Sequence, residues 1–287
     1  MNRLCESGQV AGASSLERAL VLLKVIEQTP GGLRNADISR RLDIPKSSCT
    51  YIVTRLEREG YLIKDAASNR YKIGLTPVAL AHGALREVGI RTVAEPALYK
   101  LTNQTGLSAG IGVLQNGRVL LVDRVEGPRF VDRAIQTAAG RTTRTLRVRE
   151  QRDIGRELPA HSTALGKVLL AFSPRQQVLD VIAKLGLARS TATTIVSKKR
   201  FLVELDLVRK QCYAVADGEA YSDLRALSVP IFDRYGDSYG DSDGEVRAAV
   251  SVNGDPSDPV WDDLPGLVKT VQDAARDISR RARILLP

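Results

Sequence analysis

Pro45 separates two short amphipathic segments, and this break limits what the N-terminal part of the chain can fold into more than any other feature. A proline disfavours helical dihedrals at the residue before it, so Asp43-Ile44-Pro45 reads as a turn between two helices. Upstream, Ala36, Ile38 and Leu42 are spaced as one face of a short helix. Downstream, Cys49, Ile52, Val53 and Leu56 form the apolar stripe of a second helix, with Gly60 placed as its C-terminal cap. The opposite side of that second helix is polar. Ser47, Ser48, Thr50, Tyr51, Thr54, Arg55 and Arg58 lie on or beside it, and their hydroxyl and guanidinium groups suit phosphates and the base edges of a major groove. Tyr61-Leu62-Ile63 and Arg70-Tyr71-Lys72-Ile73 then read as two strands around Asp65-Ala66-Ala67-Ser68-Asn69, a wing whose tip and Arg70 are expected at the DNA backbone or minor groove. A preceding helix completes the head: Ser14 and Glu17 have capping-box spacing, Leu16, Ala19, Leu20, Leu23 and Ile26 form its stripe, and Pro30-Gly31-Gly32 stops it.

Charge points the same way. A formal net charge of +9 and a pI near 9.6 favour a polyanionic partner, although charge alone does not separate DNA from RNA or an anionic membrane. No long apolar run and no hydrophobic leader is present, so a cytoplasmic protein with no membrane partner is expected. Cysteines occur at 5, 49 and 212 without a CxxC pair, and Cys49 falls on the apolar stripe, which suits a core residue rather than a ligand. His82 has no second histidine or acid at ligand spacing. The segment Tyr235 to Glu245, YGDSYGDSDGE, lacks the glutamate at the twelfth position that closes an EF-hand loop, so it reads as a long hairpin tip. Neither metal nor cofactor is expected.

Beyond the wing, Thr76-Pro77 opens a helix with Val78, Ala81, Leu85 and Val88 at helical spacing, ending near Gly89. A helix from Ala94 to Thr105 follows, then strands at Ser108 to Leu114 and Arg118 to Val125. Asn116-Gly117 joins these strands as a tight hairpin turn, because both central positions of the favoured turn need positive φ. The pattern continues with a strand at Phe130 to Thr137, helices near 162–172, 174–185 and 197–211, strands at 212–217, 224–232 and 246–253, and a closing helix. That last helix carries Leu264, Leu267, Val271, Ala274, Ile278 and Leu285 on one side, with Trp261 at its entrance. The fold class is α+β: a winged helix-turn-helix domain at 14–75, a linker helix at 76–90, and a domain at 91–287 with a largely antiparallel sheet flanked by helices.

The segments SLERALVLLKVIEQTPGGL, LDIPKSSCTYIVTRLEREGYLIKD and RYKIG resemble the winged-helix domain of IclR-type bacterial transcription regulators. VLLVDRVEG, LPAHSTALGKVLLAF, CYAVADGE, VPIFD and VRAAVSVNGDP resemble successive motifs of that family's sensing domain, so the likeness spans roughly residues 14 to 284. The resemblance implies a sequence-specific regulator of double-stranded DNA operators, a homodimer or homotetramer, with a GAF-like domain that senses a small metabolite, often an organic acid. Carried onto matching positions, it places the effector at Leu158, Ala164, Leu165, Asp217, Leu224, Ala226, Ser251 and Asn253. The chemistry suits a carboxylate: unpaired backbone N–H groups open the helix near Ser162, and alternation along Val250-Ser251-Val252-Asn253 sets Ser251 and Asn253 on one face. Several positions depart from the family pattern. The stretch between Ala138 and Glu157 is longer and rich in arginine, Ala216 stands where an acid is frequent, Ala226 where cysteine is common, Tyr51 where arginine is common, and Arg34 where a threonine cap is usual.

Two other classes compete. An enzyme would need a constellation that the chain does not supply: His161-Ser162-Thr163 are adjacent residues, which rarely face one another, and only two histidines are present. Gly166-Lys167 lacks the first glycine and the hydroxyl of a phosphate loop, so Lys167 is expected on the helix surface or at the sheet edge. Gly110-Ile111-Gly112 lies in a strand and opens no helix. A metabolite-binding protein whose basic head docks RNA or another protein stays open on sequence grounds.

Overall fold

The computed structural model describes residues 13–128, 154–233 and 244–285; the expected strand at Phe130 to Thr137, the arginines from Arg141 to Arg152 and most of Tyr235 to Glu245 lie outside them. The chain forms two compact units, Met1–Glu87 and Val88–Pro287.

In the first unit, α1 (Ser15–Glu27) is opened by a reciprocal cap: the Ser14 hydroxyl accepts from the Glu17 N–H, and the Glu17 carboxylate accepts from the Ser14 N–H at 2.8 Å. The face that packs is centred on Val21, Leu22 and Ile26. Leu16 and Leu20, expected on the inner stripe, are 70% and 55% exposed instead. Helices α2 (Asn35–Leu42) and α3 (Lys46–Arg58) flank the Pro45 turn. Asp43 takes a left-handed conformation there (φ 51°), and the buried Ser39 clamps the turn by donating to the Ile44 carbonyl at 2.7 Å while accepting the Ile44 N–H on its own carbonyl. Strands β1 (Leu62–Lys64) and β2 (Tyr71–Ile73) make the antiparallel wing, Leu62 opposite Ile73. Leu22, Ile38, Leu42, Cys49, Val53 and Leu62 form the centre of this small core. Burial pushes the Cys49 thiol up to about 11, as suits a packing residue. Gly32 (φ +75°) is required where its backbone meets the wing, since a Cβ there would stand 2.3 Å from the Tyr71 carbonyl oxygen. Helix α4 (Thr76–Val88) follows.

The second unit opens with α5 (Ile90–Thr105), four residues before the expected start; Gly89 (φ 61°) precedes it and Pro96 sits in its interior. Six strands follow: β3 (Ser108–Gln115), β4 (Arg118–Val125), β5 (Glu157–Pro159), β6 (Ala214–Asp217), β7 (Arg225–Phe232) and β8 (Val246–Gly254). They lie in the order β5-β4-β3-β8-β7-β6, every neighbouring pair antiparallel. The β3–β4 turn uses Asn116 (φ 53°) and Gly117 (φ 80°), as their sequence predicts. Helix α6 (Ala164–Ala171) lies on β7 and β8, and α7 (Arg175–Leu185) and α8 (Lys198–Gln211) pack around it through Val178, Phe201, Leu205 and Val208. Ser197 caps α8 by accepting the Arg200 N–H. Helix α9 (Leu264–Leu285) packs on α5 and β7, burying Leu267, Val271, Ala275 and Ile278; Ala275, one residue on from the expected Ala274, is the fully buried alanine. Trp261 precedes it and donates from Nε1 to the Asp255 carbonyl at 2.8 Å. Among the described residues, no helix is long and apolar enough to cross a membrane.

Candidate functional site

Helix α3 presents the polar face its sequence implies. Cys49, Ile52 and Val53 are buried, while Ser47, Thr50, Tyr51, Thr54, Arg55 and Arg58 are exposed and Ser48 is half-buried. The Arg55 guanidinium lies over the Tyr51 ring, 5.3 Å from its centroid, so a cation–π contact holds the two outward together. The Thr50 hydroxyl is already occupied: it donates to the Lys46 carbonyl at 2.8 Å and accepts from Asn35 Nδ2 at 2.7 Å, tying α3 to α2. Arg58 pairs with Glu59 at 2.8 Å in solvent. At the start of α3, Pro45 offers no side-chain cap, which leaves the first-turn N–H groups beside the exposed Lys46, an arrangement suited to phosphate. Lys46 was not singled out by pattern because it lies at the helix boundary. Arg70, expected at the DNA backbone or minor groove, donates from Nη1 to the Gly32 carbonyl at 2.8 Å and so braces the loop before α2. Arg34 similarly bonds the Ser68 carbonyl at 3.2 Å.

In the second unit a cavity of about 70 Å³ lies between the sheet and the start of α6. Leu158, Ala164, Leu165, Leu224, Ala226, Ser251 and Asn253 line it. Asp217 does not. Alternation along β6 turns Ala216 to the cavity and Asp217 away, where its side chain is 58% exposed and 3.6 Å from Arg225. Sequence reasoning missed Leu121, Arg124, Ser162, Thr163, Ala220 and Tyr221 as lining residues. Of these, Arg124 was in view within VLLVDRVEG, but nothing local marked it as inward; it is held by Glu126 at 2.8 Å and by Asn253 Oδ1 at 3.2 Å.

Thr163 caps α6 by accepting the Gly166 N–H on its hydroxyl, and Ser162, Thr163, Ala164 and Leu165 at this helix start line the cavity. Gly166 is needed because a Cβ there would lie 2.2 Å from the Ala160 carbonyl oxygen, a backbone atom that cannot yield without moving the cavity rim. Gly166→Ala is therefore expected to destabilise this unit by about 1–3 kcal/mol, read as a lower denaturant midpoint in the fluorescence of Trp261, the chain's one tryptophan.

Lys167 overturns its expected surface position. It is 1% exposed, and its Nζ donates to Glu204 Oε1 at 2.9 Å, to the Val215 carbonyl at 3.2 Å and to Glu219 Oε1. The sheet-edge contact anticipated for it is real, but two carboxylates from distant segments enclose the ammonium. Burial raises the Glu219 carboxyl above the usual range against the opposing pull of Lys167. His161 bonds the Ala188 carbonyl through Nε2 at 2.9 Å and packs edge-on to Phe201, with burial holding its pKa below the ordinary value. It packs; it is not bonded to Ser162, whose Oγ has no partner among the described residues. Among the described residues, no group of three His, Cys, Asp or Glu is placed to hold a metal.

A winged helix-turn-helix head with an open polar recognition face, followed by a sheet domain with a small internal cavity, defines the class of ligand-responsive DNA-binding regulators. Residues 15–66 match the IclR helix-turn-helix domain and residues 139–280 match the bacterial transcriptional regulator IclR C-terminal domain. The chain belongs to the IclR family: it is a transcriptional regulator with an effector-binding C-terminal domain. Similar proteins include the transcriptional repressor AllR of Klebsiella pneumoniae, 26% identical over 93% of this chain and 89% of that protein, and the regulator RhmR of Escherichia coli K12, 29% identical over 93% and 92%. An IclR homolog of Microbacterium hydrocarbonoxydans, solved in complex with 4-hydroxybenzoate, shares the fold with a TM-score of 0.73 at 21% identity, over 94% of this chain and all of that one (100%).

Proposed function

We propose that the chain is a cytoplasmic homodimer or homotetramer that reads double-stranded operator DNA with α3 and changes its operator affinity when a small organic acid enters the cavity. The observation that carries the reading is the surface of α3, where Ser47, Tyr51, Thr54 and Arg55 stand clear of the core beside an uncapped helix start. Two copies would set two such helices into successive major grooves. Exposed Leu16 and Leu20 on α1 and Leu75, Val78 and Leu80 around the start of α4 are apolar surface that a second copy would cover. In the cavity, the open N–H groups of α6 suit a carboxylate, and Ser251 and Asn253 add polar groups from β8. The acid found in the Microbacterium relative supports the same ligand class. Helix α4 would act as the linker that carries the change toward the head.

The test is an operator selected from random duplexes, titrated with and without acids that raise the melting temperature of the full chain. A differential affinity of about 1–3 kcal/mol, some 5- to 150-fold, is expected for an effector. An acid that demonstrably binds but never shifts operator affinity would refute the switch, and failure to select any duplex would refute the DNA reading.

A further inference from the structure

We propose that Arg124 forms a second anion-binding pole in this cavity, so that the effector is a small acid with a carboxylate at each end rather than a monoacid. This rests on the reading of the cavity as the effector site. Register brings the residue there: Arg124 on β4 stands opposite Gly110 on β3, and Gly110 opposite Ser251 on β8. With no side chain at Gly110 to block it, the guanidinium crosses β3 and donates from Nη2 to Asn253 Oδ1 at 3.2 Å. The side chain is 9% exposed and lines the cavity. Its bond to Oδ1 also orients the Asn253 amide, leaving Nδ2 as a donor.

The cation is balanced from outside. Glu126, its side chain 36% exposed, receives Arg124 Nε at 2.8 Å and Nη2 at 3.3 Å, and also accepts from the Ser108 hydroxyl at 3.0 Å. No described group bonds Nη1, which leaves that edge of the guanidinium for a ligand carboxylate. The other pole is the start of α6. Ser162 is fully buried, its Oγ has no hydrogen-bond partner among the described residues, and it lines the same cavity as the first-turn residues Ala164 and Leu165. Leu121 and Leu224 add apolar wall to the same cavity. A monoacid satisfies one pole and leaves buried donors unmatched at the other; a diacid of suitable length satisfies both.

Calorimetric titration of the full-length protein with matched pairs, succinate against butyrate and terephthalate against benzoate, tests this. In at least one pair the diacid is expected to bind about tenfold or more tighter. Arg124→Gln should bring the two members to within about threefold of each other, and Glu126→Gln, which removes the competing carboxylate, should tighten diacid binding about threefold or more. Equal binding of mono- and diacid, or a diacid preference that survives Arg124→Gln, overturns the role of Arg124 while leaving the cavity as an acid site. Should Arg124→Gln fail to fold, Glu126→Gln decides: unchanged or weaker diacid binding overturns the proposal. If no acid binds, or if filling the cavity by Ala226→Trp leaves acid binding intact, the underlying reading of the cavity falls as well.

Discussion

Lys167→Met is expected to destabilise the second unit by about 3–5 kcal/mol, the cost of leaving a buried carboxylate without its counter-ion. Methionine fills nearly the same volume, so the loss is electrostatic rather than steric. The ammonium is the only group bonded to the Glu219 carboxylate among the described residues, and Glu219 Oε2 already has no partner. Urea unfolding followed at Trp261 measures the effect, because that residue is 4% exposed and lies in the second unit. The deficit should also depend on pH. Burial raises the Glu219 carboxyl, and without Lys167 it rises further, so the folded variant holds more protons than the unfolded chain between the two pKa values. Stability therefore falls as pH rises through that window, and the deficit is smaller at pH 5 than at pH 8. Adding Glu219→Gln should recover much of the loss at pH 8 and remove the slope. A deficit independent of pH and unrelieved by Glu219→Gln would mean that packing, not charge, is what Lys167 supplies.

The same lysine joins two walls of the cavity. It sits on α6, whose first turn forms one wall, and holds Glu219, which directly precedes Ala220 and Tyr221 on another. Loss of effector affinity is accordingly expected along with loss of stability.

What the sequence made legible was what short-range chemistry decides. The Ser14–Glu17 cap, the Pro45 turn, the Asn116-Gly117 hairpin and the Ser197 cap each depend on neighbours within a few residues, and each stands where its residues imply. Alternation also placed Ser251 and Asn253 on one face. The same alternation along β6 turns Asp217 outward, against the position that the family pattern implies. What stayed hidden depends on partners far along the chain. A lysine between Gly166 and Val168 reads as a residue of the helix surface or the sheet edge until Glu204 and Glu219 are brought to it. Arg124 becomes a cavity residue only because Asn253, 129 positions away, lies across a glycine. The bond of Arg70 to Gly32, 38 positions away, shows in no local pattern, and β5, three residues long, is too short to show periodicity.

Replacing both Tyr51 and Arg55 with alanine is expected to abolish operator discrimination while leaving the head folded. Both side chains project from the face of α3 opposite Cys49, Ile52 and Val53, so their removal opens no cavity in the core. A side chain that reads a base edge contributes about 1–3 kcal/mol, and a symmetric dimer loses it at both half-sites. The two losses should not simply add. Because the Arg55 guanidinium rests 5.3 Å from the Tyr51 ring centroid, Tyr51→Ala also frees Arg55 to wander, and the double variant should lose less than the sum of the single ones. Fluorescence anisotropy with the selected operator and a scrambled duplex, across a salt series, measures this. Specific binding should collapse toward the scrambled level, while residual binding keeps a steep salt dependence from Lys46 and the remaining cations of the head. If the double variant still prefers the operator by the wild-type margin, another surface reads the DNA, and the assignment of α3 is wrong.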